Sequence, residues 1–409
     1  MKKFDIPEHY RSAIIGEIKN RRKDLDPRKQ DFTPGELSLG NITFIFPRHF
    51  GFCYGVENAI ERSYKAIREN PGKRLFLLSQ MIHNPAVNED LEGRGLKFIL
   101  DTEGRQLHPW EDIHSDDVVI IPAFGTTIET EQLLASKGVE LARYNTTCPF
   151  VEKVWKRSAE IGKSGFTIII HGKHKHEETR ATFSHSYQNA PSIIVRDIQE
   201  AEILGQFMMG KLNAAELMER FHSRVSSGFN PETDLERVGV VNQTTMLASE
   251  TQEIADFFKG IMTEKHGEGS KDYFADTRDT LCYATNDNQQ STLAALESNA
   301  DLALVIGGYN SSNTSQIVTI LESKFPTYFI QDASEIVNEN LIKHFHYNTH
   351  NHVETSNWIP VKEPLRILIT SGASCPDTVM EEVIKRILEL KPSLISPEEG
   401  LDHFMNREA

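Results

Sequence analysis

The sequence predicts an α/β protein, on three observations. Apolar runs of strand length, rich in Ile, Val and Leu, recur through the 409 residues. The runs are continuous rather than alternating, as expected of parallel strands buried on both faces. Between them lie stretches with helical apolar spacing, such as Val56, Ala59, Ile60, Tyr64 and Ile67. Strand–helix alternation of this kind builds parallel sheets covered by helices.

Strands are expected in NITFIFP (41–47), RLFLLSQ (74–80), DVVIIPAFG (117–125), TIIIHGK (167–173), RVGVVNQ (237–243), ADLALVIGG (300–308), TYFIQ (327–331) and RILITSG (366–372). In open parallel sheets, ligands bind beyond the carboxyl ends of strands. There the sequence places His83-Asn84, Gly125-Thr126-Thr127, His171 to Glu178, Asn242-Gln243-Thr244-Thr245, Asn310 to Ser315 and Ser374. Hydroxyls, amides and imidazoles dominate this set, with few Lys or Arg.

At about 100–200 residues per domain, the length suggests two to four domains. The formal charge of −15 argues against broad nucleic-acid or anionic-membrane binding, because the overall field repels phosphate polymers. It leaves room for one small anion in a local pocket. No apolar run reaches the ~18–20 residues of a membrane helix. The N-terminus has basic residues but no apolar core or cleavage pattern of a signal peptide, so a cytoplasmic setting is expected. The expected division is a charged helical arm and linker (1–40), a first α/β domain (41–147), a second (148–281) with an insertion at 198–236, a third (282–390) and a tail (391–409). The arm has two open uses, one as a homodimer contact, the other folded onto its own body. The stretch 343–358 holds four histidines. A metal site there competes with a polar surface connection, and the connection is favoured because no His pair has an i, i+4 register within a convincing helix.

Four cysteines in a long chain do not make a disulfide framework. Three of them share one local context. Cys53 precedes YGVENAIERSYKAI, Cys148 precedes PFVEKVWKRSAEI, and Cys282 precedes YATNDNQQSTLAAL. Each opens a stretch with helical spacing, and Pro149 falls where a first helical position favours proline. Free N–H groups and the helix dipole stabilise a thiolate at such a position. Three converging thiolates make a soft-ligand site for an Fe–S cluster, zinc or copper(I), with a fourth metal position left open. No CxxC pair supports a zinc ribbon. The repeated placement suggests three pseudo-threefold-related α/β units, trefoil-like, each contributing one helix start to a central site. Cys375, in SGASCPD, lacks such a context and reads as incidental.

At these residues the chain resembles the 4-hydroxy-3-methylbut-2-enyl diphosphate reductases. The matching blocks are FGFCYGVENAIE, IHNPAVNEDLEGRG, NTTCPFVEKVWK, HGKHKHEET, NQTTML, CYATNDNQ, GGYNSSNTS and TSGASCPD, in the family's order. HGKHKHEET, the 198–236 insertion and AFGTT resemble the longer plant and cyanobacterial branch. The resemblance implies reductive removal of the allylic hydroxyl of (E)-4-hydroxy-3-methylbut-2-enyl diphosphate. The products are isopentenyl and dimethylallyl diphosphate, in the last step of the non-mevalonate isoprenoid route. It implies a 4Fe–4S cluster held by Cys53, Cys148 and Cys282 with one open iron, and an electron donor such as ferredoxin or flavodoxin. It assigns diphosphate contacts to His83, Ser311, Ser312, Asn313 and Ser374, and a substrate role to His176. Thr244 matches the threonine near the substrate hydroxyl. The proton-delivering glutamate falls on Glu178 by His-x-Glu spacing, or on Glu177 by a gapped alignment. One departure is clear. Phe124 stands where the shorter branch has a diphosphate-contacting histidine, so either one donor is lost or Thr126 and Thr127 supply it.

Each block also has a plainer use. NSSNTS suits a helix N-cap, HKHEET suits a solvated helix start, and GGYN lacks the GK[ST] of a phosphate-binding P-loop. Their joint occurrence favours the enzyme. Two other classes compete with it: a three-Cys cluster enzyme resembling quinolinate synthase, needing no external electrons, and a non-enzymatic cluster or zinc scaffold.

Overall fold

A computed structural model describes residues 4–275 and 280–404. Its helices are α1 (Ala13–Leu25), α2 (Tyr54–Glu69), α3 (Pro85–Gly93), α4 (Ile128–Ser136), α5 (Pro149–Lys163), α6 (Glu177–Tyr187), α7 (Ile198–Met208), α8 (Ala214–Phe221), α9 (Pro231–Asp234), α10 (Ala248–His266), α11 (Tyr283–Ala295), α12 (Ser312–Glu322), α13 (Asp377–Leu390) and α14 (Pro397–His403). Its strands are β1 (Gly35–Ser38), β2 (Ile42–Phe46), β3 (Leu75–Leu77), β4 (Leu96–Phe98), β5 (Val118–Ile120), β6 (Thr167–His171), β7 (Ser192–Val195), β8 (Val238–Asn242), β9 (Phe274–Ala275), β10 (Leu302–Ile306), β11 (Thr327–Ile330), β12 (Ile336–Asn338), β13 (Leu341–His346), β14 (Asn351–Ser356) and β15 (Leu365–Ser371). All eight expected strands are present.

The chain divides into two compact units, neither continuous in sequence. One comprises Met1–Glu57, Ile82–Asp90 and Tyr283–Ala409; the other comprises Asn58–Met81 and Leu91–Cys282.

The first unit is built on a five-stranded sheet in the order β1-β2-β15-β10-β11. All pairings are parallel except β1 with β2. Both faces are covered, which explains the unbroken apolar runs. Phe44, Phe46, Leu302, Leu304, Ile306, Ile367 and Ile369 pack with α1 and α13. The alternate residues Ile45, Ala303, Val305 and Leu368 pack with Ile317, Val318 and Leu321 of α12. Residues 4–40 are thus part of this unit: Ile14, Ile15 and Ile18 of α1 enter its core, and β1 extends its sheet.

The 343–358 stretch folds as strands rather than a connection. β12, β13 and β14 form an antiparallel sheet, with Leu341 opposite Ser356 and His346 opposite Asn351. Ile342 and His344 alternate inward, and His344 reaches Thr355 Oγ1 at 2.8 Å. A histidine, His344, takes one of the inward positions of this period-two pattern, which hides the strand in a polar-looking sequence.

The second unit has two parallel sheets, β4-β3-β5 and β7-β6-β8-β9. In the larger sheet Ile169, Ile193, Val195, Val238 and Val240 pack with α7, α8 and α10. Ile168, Ile170, Ile194 and Val241 pack with Val154 and Ile161 of α5. The 198–236 segment is helical, and Leu204, Leu217 and Phe221 bury its apolar face. A reciprocal cap between Asn213 and Glu216 starts α8. No helix among the described residues is long and apolar enough to cross a membrane.

Candidate functional site

The three singled-out cysteines all stand at helix starts. Cys53 ends the loop after β2; its N–H donates to Ala373 O at 3.2 Å, and its carbonyl accepts the first helical bond from Glu57 N at 2.9 Å. Gly51 makes this turn possible: its φ is +74°, and a Cβ there would lie 2.7 Å from both Asp377 Oδ1 and Lys19 Nζ. Desolvation raises the Cys53 thiol pKa, opposed by the N–H groups of Val56 and Gly55. Cys148 is the N-cap of α5, with Pro149 in the first turn. Cys282 is buried immediately before α11. All four cysteines are free thiols. Cys53 belongs to the first unit, Cys148 and Cys282 to the second. Cys375 differs: it is wholly buried in the apolar core of the first unit, and that burial raises its thiol pKa.

Soft, unoxidised thiols at helix N-termini are the donor chemistry an Fe–S cluster requires, so these residues fit the group that the resemblance implies. Within neither unit do three or more His, Cys, Asp or Glu of the described residues gather around a metal position.

In the first unit, the carboxyl ends of β10 and the adjacent β15 carry a buried polar cluster. Ser311 is the N-cap of α12, its Oγ accepting from Thr314 N at 3.3 Å. Asn313 Oδ1 accepts from Ala373 N at 2.8 Å and from Asn288 Nδ2 at 3.2 Å. Those two donors fix the amide orientation, leaving Asn313 Nδ2 a buried donor with no acceptor among the described residues. Such an orphan donor is costly unless a ligand accepts from it. Ser374 Oγ donates to His83 O at 3.1 Å. Gly308 closes the group, since a Cβ there would come within 2.5 Å of His83 O. His83, Ser311, Ser312, Asn313 and Ser374 are all at most 8% exposed. The same serine thus caps a helix and stands in the cluster.

In the second unit, the carboxyl ends of adjacent β6 and β8 bring His176, Glu177, Glu178 and Thr244 together. His176 is the N-cap of α6, its Nδ1 accepting from Glu178 N at 3.1 Å. The neutral ring therefore carries its proton on Nε2. Glu178 is 1% exposed and its carboxylate accepts from Thr244 N. Desolvation pushes the Glu178 carboxyl up to about 7, against the opposing bonds from Thr244. Glu177, also buried, instead accepts a hydrogen bond from Ser79 Oγ. The two glutamates thus face different partners. Phe124 packs edge-on against the His176 ring at 5.6 Å. Thr127 caps α4 by accepting from Thr130 N, and the Thr126 carbonyl lies 3.1 Å from His185 Nε2.

Several supporting residues have no role of their own in the sequence motifs. Gln243 ties three segments together: its Oε1 accepts from Lys173 N at 3.2 Å and Thr179 Oγ1 at 3.0 Å, and its Nε2 donates to Thr245 Oγ1 at 2.7 Å. Ser79 and Asn288 hold Glu177 and Asn313. They sit inside a strand-end run and a helix, where the sequence offers no sign beyond a polar residue at an inward position.

The LytB protein family model matches residues 45–388. The 4-hydroxy-3-methylbut-2-enyl diphosphate reductase of Trichormus variabilis is 37% identical over 387 residues, covering 94% of this chain and 91% of the relative. That of Parasynechococcus marenigrum is 38% identical over 391 residues, covering 95% and 92%. Among solved structures, the E-1-hydroxy-2-methyl-but-2-enyl-4-diphosphate reductase of Plasmodium falciparum aligns with a TM-score of 0.62 at 20% identity, covering 86% of this chain and 89% of that one. A second, described as (E)-4-hydroxy-3-methyl-but-2-enyl diphosphate reductase, the terminal enzyme of the non-mevalonate pathway, aligns with a TM-score of 0.52 at 24% identity, covering 85% and 99%. These two carry the fold; the sequence relatives and the family model carry the family. The chain belongs to the 4-hydroxy-3-methylbut-2-enyl diphosphate reductase (LytB) family.

Proposed function

We propose that this chain catalyses the reductive dehydroxylation of (E)-4-hydroxy-3-methylbut-2-enyl diphosphate to isopentenyl and dimethylallyl diphosphate, with Glu178 as the proton donor. The reaction takes two electrons and two protons and releases the hydroxyl as water. The observation that carries this reading is the buried Glu178 carboxyl, raised to about 7 and held by Thr244. With its pKa near the working pH, such a group keeps a large protonated fraction at pH 7 and can give up its proton, as a general acid must.

Cys53, Cys148 and Cys282 are the proposed ligands of a 4Fe–4S cluster at the centre of three trefoil-like α/β units. When bound, the cluster supplies the electrons and the Lewis acidity of an iron that no protein thiolate holds. Glu178 delivers a proton to the leaving hydroxyl, and Thr244 orients that hydroxyl. Glu177, tied to Ser79, fixes the start of α6 and moves no proton. Asn313 Nδ2, the Ser311, Ser312 and Ser374 hydroxyls and the His83 ring hold the diphosphate. His176 caps α6 through Nδ1 and offers Nε2–H to the substrate, with Phe124 fixing its ring. Neutral donors at strand ends and a helix N-terminus suit an anion that must leave as product. A one-electron carrier of the ferredoxin or flavodoxin class supplies the reducing equivalents, and the free thiols suit a reducing cytoplasm.

The test is turnover of the hydroxyallyl diphosphate by cluster-replete protein with reduced methyl viologen under anaerobic conditions. Formation of both isoprenoid diphosphates is expected. No consumption of substrate would contradict the reading.

A further inference from the structure

The loop 307–313, which carries Ser311, Ser312 and Asn313, is gripped on two sides. On one, Asn313 Oδ1 takes its bonds from Ala373 and Asn288. On the other, Tyr309 points to the region after β11. Its hydroxyl donates to Glu335 Oε1, and Glu335 Oε2 accepts Gln331 N at 2.6 Å. The Tyr309 ring stacks on Phe345 of β13, with centroids 4.5 Å apart and planes at 19°. The edges of Phe329 and of His352 on β14 close around it at 5.1 and 5.2 Å. Burial raises the pKa of both the phenol and the Glu335 carboxyl, so the phenol stays a donor. Tyr309 follows Gly308, whose missing Cβ admits the His83 carbonyl, and stands two residues before the α12 cap.

We propose that Tyr309 is a positioning residue for the diphosphate site, and that the β13–β14 hairpin holds the loop 307–313 in its binding shape through Phe345 and His352. The His-rich stretch then acts as an aromatic buttress rather than a metal site. Neither the Tyr309 ring nor the hairpin need touch substrate. Their contribution is preorganisation: a loop already fixed loses less freedom when the anion arrives. The inference rests on reading His83, Ser311, Ser312, Asn313 and Ser374 as the diphosphate site.

The experiment uses the full-length, cluster-loaded protein and two readouts, calorimetric titration with inorganic diphosphate and steady-state kinetics. Tyr309→Ala is expected to weaken diphosphate binding and raise KM by about tenfold each, with kcat changed less than about twofold. Tyr309→Phe keeps the stacking and is expected to stay within about threefold of wild type, the loss of one hydrogen bond. Folded Tyr309→Ala protein with unchanged diphosphate affinity would overturn the proposal, as would a loss confined to kcat. If Tyr309→Ala does not fold, Phe345→Ala and His352→Ala carry the same test from the hairpin. Asn313→Ala separates the two levels. If it abolishes diphosphate binding while Tyr309→Ala leaves it intact, only this inference falls; if Asn313→Ala binds diphosphate normally, the site reading itself falls.

Discussion

The Glu178 carboxylate accepts the backbone N–H of Thr244, joining the start of α6 to the loop after β8 in one buried contact. The contact fixes the carboxyl in place and favours its ionised form. Desolvation outweighs the hydrogen bonds, and the carboxyl is raised to about 7.

A general acid works only while protonated. Activity is therefore expected to be level below about pH 7 and to fall about tenfold per pH unit above it, with that limb absent in Glu178→Gln. A pH profile of kcat checks this.

The same shift has a stability signature. The unfolded chain releases this proton from about 4.5 upward, the folded chain only near 7. Between those values the folded form binds more protons, so stability falls as pH rises, by roughly 3 kcal/mol at most. Glu178→Gln is expected to remove that slope, so its melting temperature gains on wild type between about pH 5 and about pH 8.

Asn313 Nδ2 is a buried donor with no acceptor among the described residues, and the proposed acceptor is the diphosphate. Asn313→Asp puts a carboxylate in its place, also facing Ala373 N. KM for the diphosphate substrate is expected to rise by about 10- to 100-fold, the range of one lost hydrogen bond to a charged group. Steady-state kinetics and diphosphate calorimetry check it.

The cysteines divide three to one. Cys53→Ser, Cys148→Ser and Cys282→Ser are each expected to lose the broad Fe–S absorption near ~400 nm together with activity. Cys375→Ala, in the apolar core, is expected to keep both, at a cost of about 1 kcal/mol in stability. Iron content and denaturant melts separate the two kinds of variant.

Gly51→Ala is expected to destabilise by about 1–2 kcal/mol, the cost of a left-handed conformation for a residue with a Cβ. The new methyl would also press on the Lys19–Asp377 ion pair beside the Cys53 loop. Urea unfolding checks the loss, and iron content reports whether the loop still presents Cys53.

Much of this was legible in the chain. The eight parallel strands were visible because Ile168 and Ile169, or Val305 and Ile306, bury alternate faces and leave no polar gap. The helix-start cysteines were visible because Pro149 and Gly51 mark local turns. The two-residue β9 is too short to show a pattern, β4 holds an exposed Lys97 between its apolar residues, and β13 was hidden by His344 at an inward position. The two glutamates could not be told apart by spacing. Their difference lies in partners distant in sequence, Ser79 for Glu177 and Thr244 for Glu178. Asn288 and Gln243 lie within the blocks CYATNDNQ and NQTTML, but their bonds to Asn313, Lys173 and Thr179 join segments distant in sequence and cannot be read from those blocks.

The central claim is that Glu178, not Glu177, moves the proton in a reductive dehydroxylation. The most direct measurement compares kcat of cluster-replete Glu178→Gln and Glu177→Gln with the hydroxyallyl diphosphate and reduced methyl viologen. Glu178→Gln is expected to fall by about 10²- to 10⁴-fold, the range for a lost general acid. Glu177→Gln, which can still accept from Ser79, is expected to fall by less than about tenfold. An equal loss in both, or the larger loss in Glu177→Gln, would contradict the account.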